Sequence, residues 1–218
     1  KINRDLAIAV AEKAKREKVK QFIFMSSIIV YGDSSKINEE KIINKNTVPQ
    51  PSNFYGESKL QAEKGLQSLE SSKFKIVILR PPMIYGKGSK GNYSRLSNIA
   101  KKLPVFPDID NKRSMLHIDN LCEFIRLLID NEEAGIFFPQ NKEYVKTSEM
   151  VKLIAEANGK NIKLIKLFNP FLCFAANKVD IINKVFGNMA YEKSMSQYKE
   201  NYIVRNFEES IKLSEEIV

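Results

Sequence analysis

The 218-residue sequence is poor in the residues that cross-link or punctuate a chain, with two cysteines, 9 glycines and 8 prolines. Cys122 and Cys173 lie far apart in apolar helical patterns, with no Cys or His at metal-ligand spacing. This excludes a disulfide scaffold and a zinc cluster, and it points to a reduced, intracellular setting. Long hydrophobic runs are also missing. The longest apolar stretch, residues 164–176, holds Lys166 and Pro170 and is too short to span a bilayer. With no signal-peptide pattern either, a cytoplasmic protein without a membrane span is expected. No segment is biased enough for disorder, and no internal repeat is present. The formal charge of +9 comes from Lys and Arg spread over almost every segment. Such a spread reads as solvated faces rather than a nucleic-acid footprint, although a positive cleft would draw a phosphate-bearing substrate.

What is present is an alternation of helical and strand patterns. A helical pattern runs from the first residues to about Lys18, with Ile2, Leu6, Ala9 and Val10 on one face; it does not begin like a native N-terminus. Residues 21–27 (QFIFMSS) read as a buried strand, and residues 55–69 read as a helix after a polar loop broken by Pro49 and Pro51. Residues 75–80 (KIVILR) read as a second strand, stopped by Pro81 and Pro82. Further along, helices are expected to end near Lys102 and over 119–130 and 147–158, the last capped by Thr147 or Ser148. Short strands are expected near Met115, at 136–138 and at 161–166, followed by two or three helices and an extended piece near Tyr202. Continuous apolar strands between amphipathic helices require a parallel sheet covered on both faces, so the class is α/β.

Three motifs occur in order. Ser26 and Ser27 end the first strand, which in open α/β sheets is the end facing the ligand crevice. Tyr55 and Lys59 then share a helix face at i, i+4 spacing, and the next strand ends Leu79-Arg80-Pro81-Pro82-Met83-Ile84-Tyr85-Gly86. Chance alone supplies a Tyr-x-x-x-Lys pair in a chain this rich in lysine, so the weight lies in the order. The segment Arg113-Ser114-Met115-Leu116-His117-Ile118-Asp119 follows downstream.

This arrangement resembles the extended short-chain dehydrogenase/reductase family, in particular its NAD-dependent sugar-nucleotide epimerases and dehydratases, most clearly from Asn3 to Leu128. The resemblance implies a Rossmann-like, mostly parallel sheet flanked by helices over residues 1–103, carrying the catalytic motifs and a substrate loop. Residues 104–218 would be a mainly sugar-nucleotide-binding lobe, with 119–138 returning to the core. Tyr55 would be the base, Lys59 its electrostatic partner and a ribose ligand, and Ser27 the donor to the sugar oxygen, with Ser26 a less favoured alternative. An isolated phenol is a poor base at neutral pH, and making it effective takes about 4 kcal/mol of help from nearby positive charge. Ser26, Tyr55, Lys59, Pro82 and Ile84 would meet NAD; Asn92, Phe106 and Arg113 would meet the substrate, expected to be UDP-linked, with Arg113 on the diphosphate and Phe106 on the base. His117, between Leu116 and Ile118, would be structural, and no metal is implied. A homodimer through helices, including 55–69 and the opening one, is also implied.

The sequence departs from the family in several ways. The glycine turn for the cofactor pyrophosphate should precede the first helix and is missing, so these residues are expected to bind NAD weakly and to be inactive alone. Gly86-Lys87-Gly88-Ser89-Lys90-Gly91 spells G-x-G-x-x-G, but Pro81 to Tyr85 separate it from the strand, and it matches the family's substrate loop instead. Met83 stands where UDP-galactose-type epimerases often have Asn. Ile28 and Ile29 stand where dehydratases carry an Asp-Glu pair, leaving dehydration without a proton donor. Epimerisation needs none and is the favoured reading, ahead of a reductase or dehydratase, or a non-catalytic sugar-nucleotide-binding relative.

Overall fold

A computed structural model describes residues 2–216, and side chains from residue 4 onward. Lys1, Ile217 and Val218, and the side chains of Ile2 and Asn3, lie outside the described residues. Helix α1 (Ile2–Arg16) leads into strand β1 (Gln21–Met25), a 3-10 turn (Ile28–Tyr31) and a two-residue strand β2 (Ile42–Ile43). Helix α2 (Phe54–Gln67) and strand β3 (Lys75–Leu79) follow. Then come β4 (Met83–Tyr85), α3 (Asn92–Lys102), β5 (Val105–Pro107), β6 (Met115–His117), α4 (Ile118–Asp130) and β7 (Gly135–Phe137). The remainder holds α5 (Thr147–Ala157), β8 (Lys163–Ile165), α6 (Asn169–Ala175), α7 (Asp180–Phe186), β9 (Ala190–Tyr191) and α8 (Phe207–Glu215).

Strands β1, β3 and β7 form a parallel sheet in that order, with Phe24 beside Ile78 and Leu79 beside Phe137. Because side chains alternate along a strand, β3 serves two cores. Ile76 and Ile78 pack with Ala11, Ala62 and Leu66 of α1 and α2, whereas Val77 and Leu79 pack with Leu121, Phe124 and Leu128 of α4. The result is a Rossmann-like sheet covered on both faces. Pairs β4–β6, β5–β8 and β2–β9, all parallel, carry the rest of the chain, with a core around Tyr85, Met115, Met150 and Ile154.

Several elements differ from their sequence reading. The face of α1 that packs inward is Ala7, Ala11 and Ala14, while Leu6 and Val10 stay exposed. Small residues let α1 approach α2 closely; a Cβ on Gly65 would fall 2.4 Å from Ile8 Cδ1. Helix α5 is not capped by its own Thr147 or Ser148. Its first residue is Thr147, whose N–H donates to Asn111 Oδ1 at 2.9 Å, so the orphan amide is satisfied from another segment. The expected extended piece near Tyr202 joins no strand over residues 201–204, and the Tyr202 ring packs on Phe124 with centroids 4.6 Å apart. Among the described residues no helix is long and apolar enough to cross a membrane.

Candidate active site

The C-terminal ends of β1 and β3 meet the first turns of α2. Asn53 caps α2, its Oδ1 accepting the Gly56 N–H at 2.9 Å, and this fixes where the helix begins. Gly56 explains how closely the helix can approach the strand end. A Cβ there would lie 2.9 Å from the Ile29 carbonyl oxygen and 2.9 Å from Pro51 Cβ. The bare glycine lets the turn carrying Tyr55 sit against the turn that follows Ser27.

Within that corner Lys59 donates to the Met25 carbonyl at 2.7 Å, joining α2 to the end of β1. Its ammonium lies 4.8 Å from the Phe24 ring centroid and 5.8 Å from that of Tyr55. Burial lowers the Lys59 pKa, and the Glu63 carboxylate partly offsets the shift. Tyr55 is 51% exposed. Ser27 caps the 3-10 turn, its Oγ accepting the Ile29 N–H at 3.2 Å. One of that hydroxyl's two lone pairs is therefore used, and its proton donates to no acceptor among the described residues.

The two serines are distinguished by their partners. Ser26 is buried and its hydroxyl donates to Glu63, so it faces the interior rather than a ligand. Glu63 also accepts a bidentate pair from Arg80, with Arg80 Nη2 to Glu63 Oε2 at 2.6 Å, and Arg80 Nη1 donates to Tyr31 Oη at 2.7 Å. Burial raises the Tyr31 pKa against the opposing effect of Arg80, which keeps the phenol protonated. This network clamps α2 to the ends of β1 and β3 beneath this corner. Neither Glu63 nor Arg80 was singled out from the sequence, although Tyr55, Lys59 and Glu63 recur every four residues along one helix face.

Pro82 is buried just beyond β3, and Ile84 lies in β4 with its side chain packed against the α4 core. The glycine loop 86–91 does follow directly on a strand, because β4 ends at Tyr85. That strand pairs with β6 and not with the main sheet, and residues 86–89 line a recess together with α3. His117 is buried; its Nδ1 accepts the Asp119 N–H at 3.3 Å to cap α4, and burial lowers its pKa against the pull of Asp119. It is committed to that cap.

A second recess of about 200 Å³ lies between α3, β6 and α7. Asn92, Arg95, Arg113 and Lys184 line it over an apolar floor that includes Met83 and Met115. Arg113 donates to the Lys184 carbonyl at 2.7 Å and pairs with no carboxylate among the described residues. Desolvation pushes its pKa down to about 10. A desolvated guanidinium without a counter-ion, beside two further cations, is suited to an anionic group. Thus Asn92 and Arg113 come together, but Phe106 does not join them. It is buried in the core against Phe186, with ring centroids 5.6 Å apart. Among the described residues no group of His, Cys, Asp and Glu could hold a metal ion.

The parallel sheet, the strand-end serine and the Tyr-x-x-x-Lys helix define a Rossmann-like α/β protein of the short-chain dehydrogenase type. The NAD dependent epimerase/dehydratase family matches residues 1–138, and the chain belongs to that family. It is 32% identical over 204 residues to the UDP-glucose 4-epimerase of Vibrio cholerae, covering 88% of this chain and 61% of that protein. It is 31% identical over 176 residues to an N-acetyl-alpha-D-glucosaminyl-diphospho-ditrans,octacis-undecaprenol 4-epimerase of Escherichia coli O157:H7, covering 78% of this chain and 52% of that protein. The chain thus spans roughly half to three-fifths of the length of these curated relatives. The fold matches that of a Bacillus cereus UDP-glucuronic acid 4-epimerase in complex with NAD, with a TM-score of 0.70 at 17% identity, covering 97% of this chain and 65% of the other. A dTDP-4-dehydrorhamnose reductase from Clostridium acetobutylicum shares the fold similarly, with a TM-score of 0.71 at 16% identity over 95% of this chain and 69% of that one.

Proposed function

We propose that the protein to which these residues belong is an NAD-dependent 4-epimerase of a nucleotide sugar, with a UDP-hexose as the substrate class. The observation that supports this reading is Lys59 of α2, bonded to the Met25 carbonyl at the end of β1 with its ammonium 5.8 Å from the Tyr55 ring centroid, together with the lack of a carboxylate at positions 28 and 29. The name of the Vibrio cholerae relative supports the UDP-sugar.

The residues present fit the nicotinamide-ribose end of the cofactor: a half-buried ammonium and an exposed phenol lie on the open side of the parallel strand ends. The glycine turn expected for the pyrophosphate is not among these 218 residues, and the glycine-rich loop 86–91 lies between β4 and α3. When bound, NAD supplies a reversible hydride acceptor. Tyr55, as the phenolate, would take the proton of the sugar hydroxyl, and Lys59 would stabilise that phenolate by its charge. Ser27 donates to the same sugar oxygen and holds it through the ketone stage. Once the opposite face of the ketone is presented, Tyr55 would give the proton back to the same oxygen, and the reaction would be redox-neutral overall. Arg113, Arg95 and Asn92 would hold the diphosphate meanwhile. The outward Leu6 and Val10 of α1, beside α2, would bury against a second copy in a homodimer.

The test is conversion of UDP-sugars by the full-length protein. Interconversion of C4 epimers without net consumption of NADH or NADPH supports the reading; stoichiometric NADPH consumption would assign a reductase instead.

A further inference from the structure

Helix α6 has the almost wholly apolar sequence NPFLCFA, yet none of its residues is fully buried, and only Leu172 and Cys173 pack partly against the core. Leu167 is 81% exposed, Phe171 70% and Phe174 65%, and Phe168 beside them is also exposed. Phe168, Phe171 and Phe174 recur at three-residue spacing, which sets them on one side of the segment. Scattered apolar side chains on a surface are ordinary, but four large ones within eight residues make a patch that calls for a partner.

Charge around the patch indicates which partner. Lys163, Lys166, Lys178 and Lys184 are exposed on the flanking segments, and Lys178 lies 5.7 Å from the Phe174 ring centroid. Asp180 is the one acidic residue between positions 160 and 184. A second copy of this chain would set these lysines against each other, on a protein already carrying a formal charge of +9. An anionic lipid surface would accept both features, with phenylalanine rings entering at the headgroup level and lysines meeting phosphates above them.

We propose that the α6 segment, with Leu167, Phe168, Phe171 and Phe174 as its apolar points and the four lysines as its rim, docks the protein reversibly on an anionic membrane surface. Single weak anchors give marginal binding, and apolar insertion combined with basic charge is the pairing that makes peripheral attachment effective. The recess holding Arg113 adjoins this segment, since Ile181 and Lys184 of α7 line its wall. Docking would set that recess close to the headgroup layer.

The proposal is independent of the catalytic reading, and its experiment keeps the two apart. Full-length protein is sedimented with vesicles of phosphatidylglycerol and phosphatidylcholine, and with vesicles of phosphatidylcholine alone. Binding to the anionic vesicles is expected to fall about tenfold in Phe171→Ser/Phe174→Ser, and to weaken with added salt and in Lys166→Gln/Lys178→Gln. Tyr55→Phe should bind vesicles as the parent does. Phe171→Trp adds a local reporter, and its emission, taken as the difference from the parent protein's, should shift to the blue on vesicle addition. No binding to anionic vesicles, or equal binding by the Phe171→Ser/Phe174→Ser variant, overturns the proposal. So would a dimer in solution that Phe171→Ser/Phe174→Ser dissociates, with no vesicle binding, since a second copy would then be the occupant.

Discussion

Glu63 and Arg80 form a bidentate ion pair, 2.6 Å between Arg80 Nη2 and Glu63 Oε2, with both side chains almost wholly removed from water. The pair ties the middle of α2 to the end of β3, and the Ser26 hydroxyl brings the end of β1 into the same cluster. Removing one partner strands a buried charge, so Glu63→Ala should cost about 3–5 kcal/mol in urea unfolding of the full-length protein. Glu63→Met/Arg80→Met, which leaves neither charge unpaired, should recover most of that loss. A double variant as unstable as Glu63→Ala would mean that the pair stabilises through more than mutual neutralisation.

Gly56 gives a sharper test of how the corner is assembled. An added methyl group meets the Ile29 carbonyl and Pro51, both at 2.9 Å, and pushes the first turn of α2 from the strand-end turn. Gly56→Ala should lower kcat about tenfold or more, because small displacements of reacting groups are costly, while the melting temperature moves by only a few degrees. Unchanged kcat would show that the close approach has no catalytic part.

Much of this corner was legible in the sequence because local rules govern it. Ser27, Tyr55 and Lys59 sit at a strand end and on one helix turn, positions that follow from periodicity and punctuation. Glu63 carried a readable signal as well, four residues past Lys59 on the same face, but its meaning depended on Arg80, an arginine closing an otherwise apolar strand. The inward face of α1 was not legible. Leu6, Val10 and the alanines are all apolar, and the choice between them was made by the fit of Ile8 against Gly65. Phe106 was likewise undecidable locally, because the ring that claims it, Phe186, lies far along the chain. Strands as short as β2, β4 and β9 show no usable period, and the amide donor at the start of α5 is satisfied by Asn111 from another segment.

The separation of Arg113 from Phe106 predicts different consequences for the two. Arg113→Met should raise KM for the UDP-sugar about tenfold with little change in kcat, as expected for a contact made equally in ground and transition states. Phe106→Leu should instead lower the melting temperature and leave KM nearly unchanged. Steady-state kinetics beside thermal unfolding distinguishes them, and a KM effect from Phe106→Leu would restore it to the substrate site.

Glu215 gives the acid limb of stability a defined contributor. Burial works against its charge, but Lys101 at 2.7 Å, with Asn158 and Ser97 each at 3.0 Å, outweighs this and holds the carboxyl below its ordinary value. Since the folded pKa lies below the unfolded one, near 4.5, the stabilisation is complete above that pH and is lost as pH falls through the folded value. Lys101→Met should therefore lower the melting temperature at pH 7 and flatten its fall below pH 4.5. An acid limb parallel to that of the parent would remove Glu215 from the account.

The central claim is that Tyr55 moves the proton in a redox-neutral epimerisation. Its most direct test is the rate at which full-length protein interconverts UDP-glucose and UDP-galactose, with Tyr55→Phe measured beside the parent. The account predicts turnover by the parent with no net change in NADH, and a loss of about 10²–10⁴-fold in Tyr55→Phe with UDP-sugar binding retained. Undiminished turnover in Tyr55→Phe would contradict it.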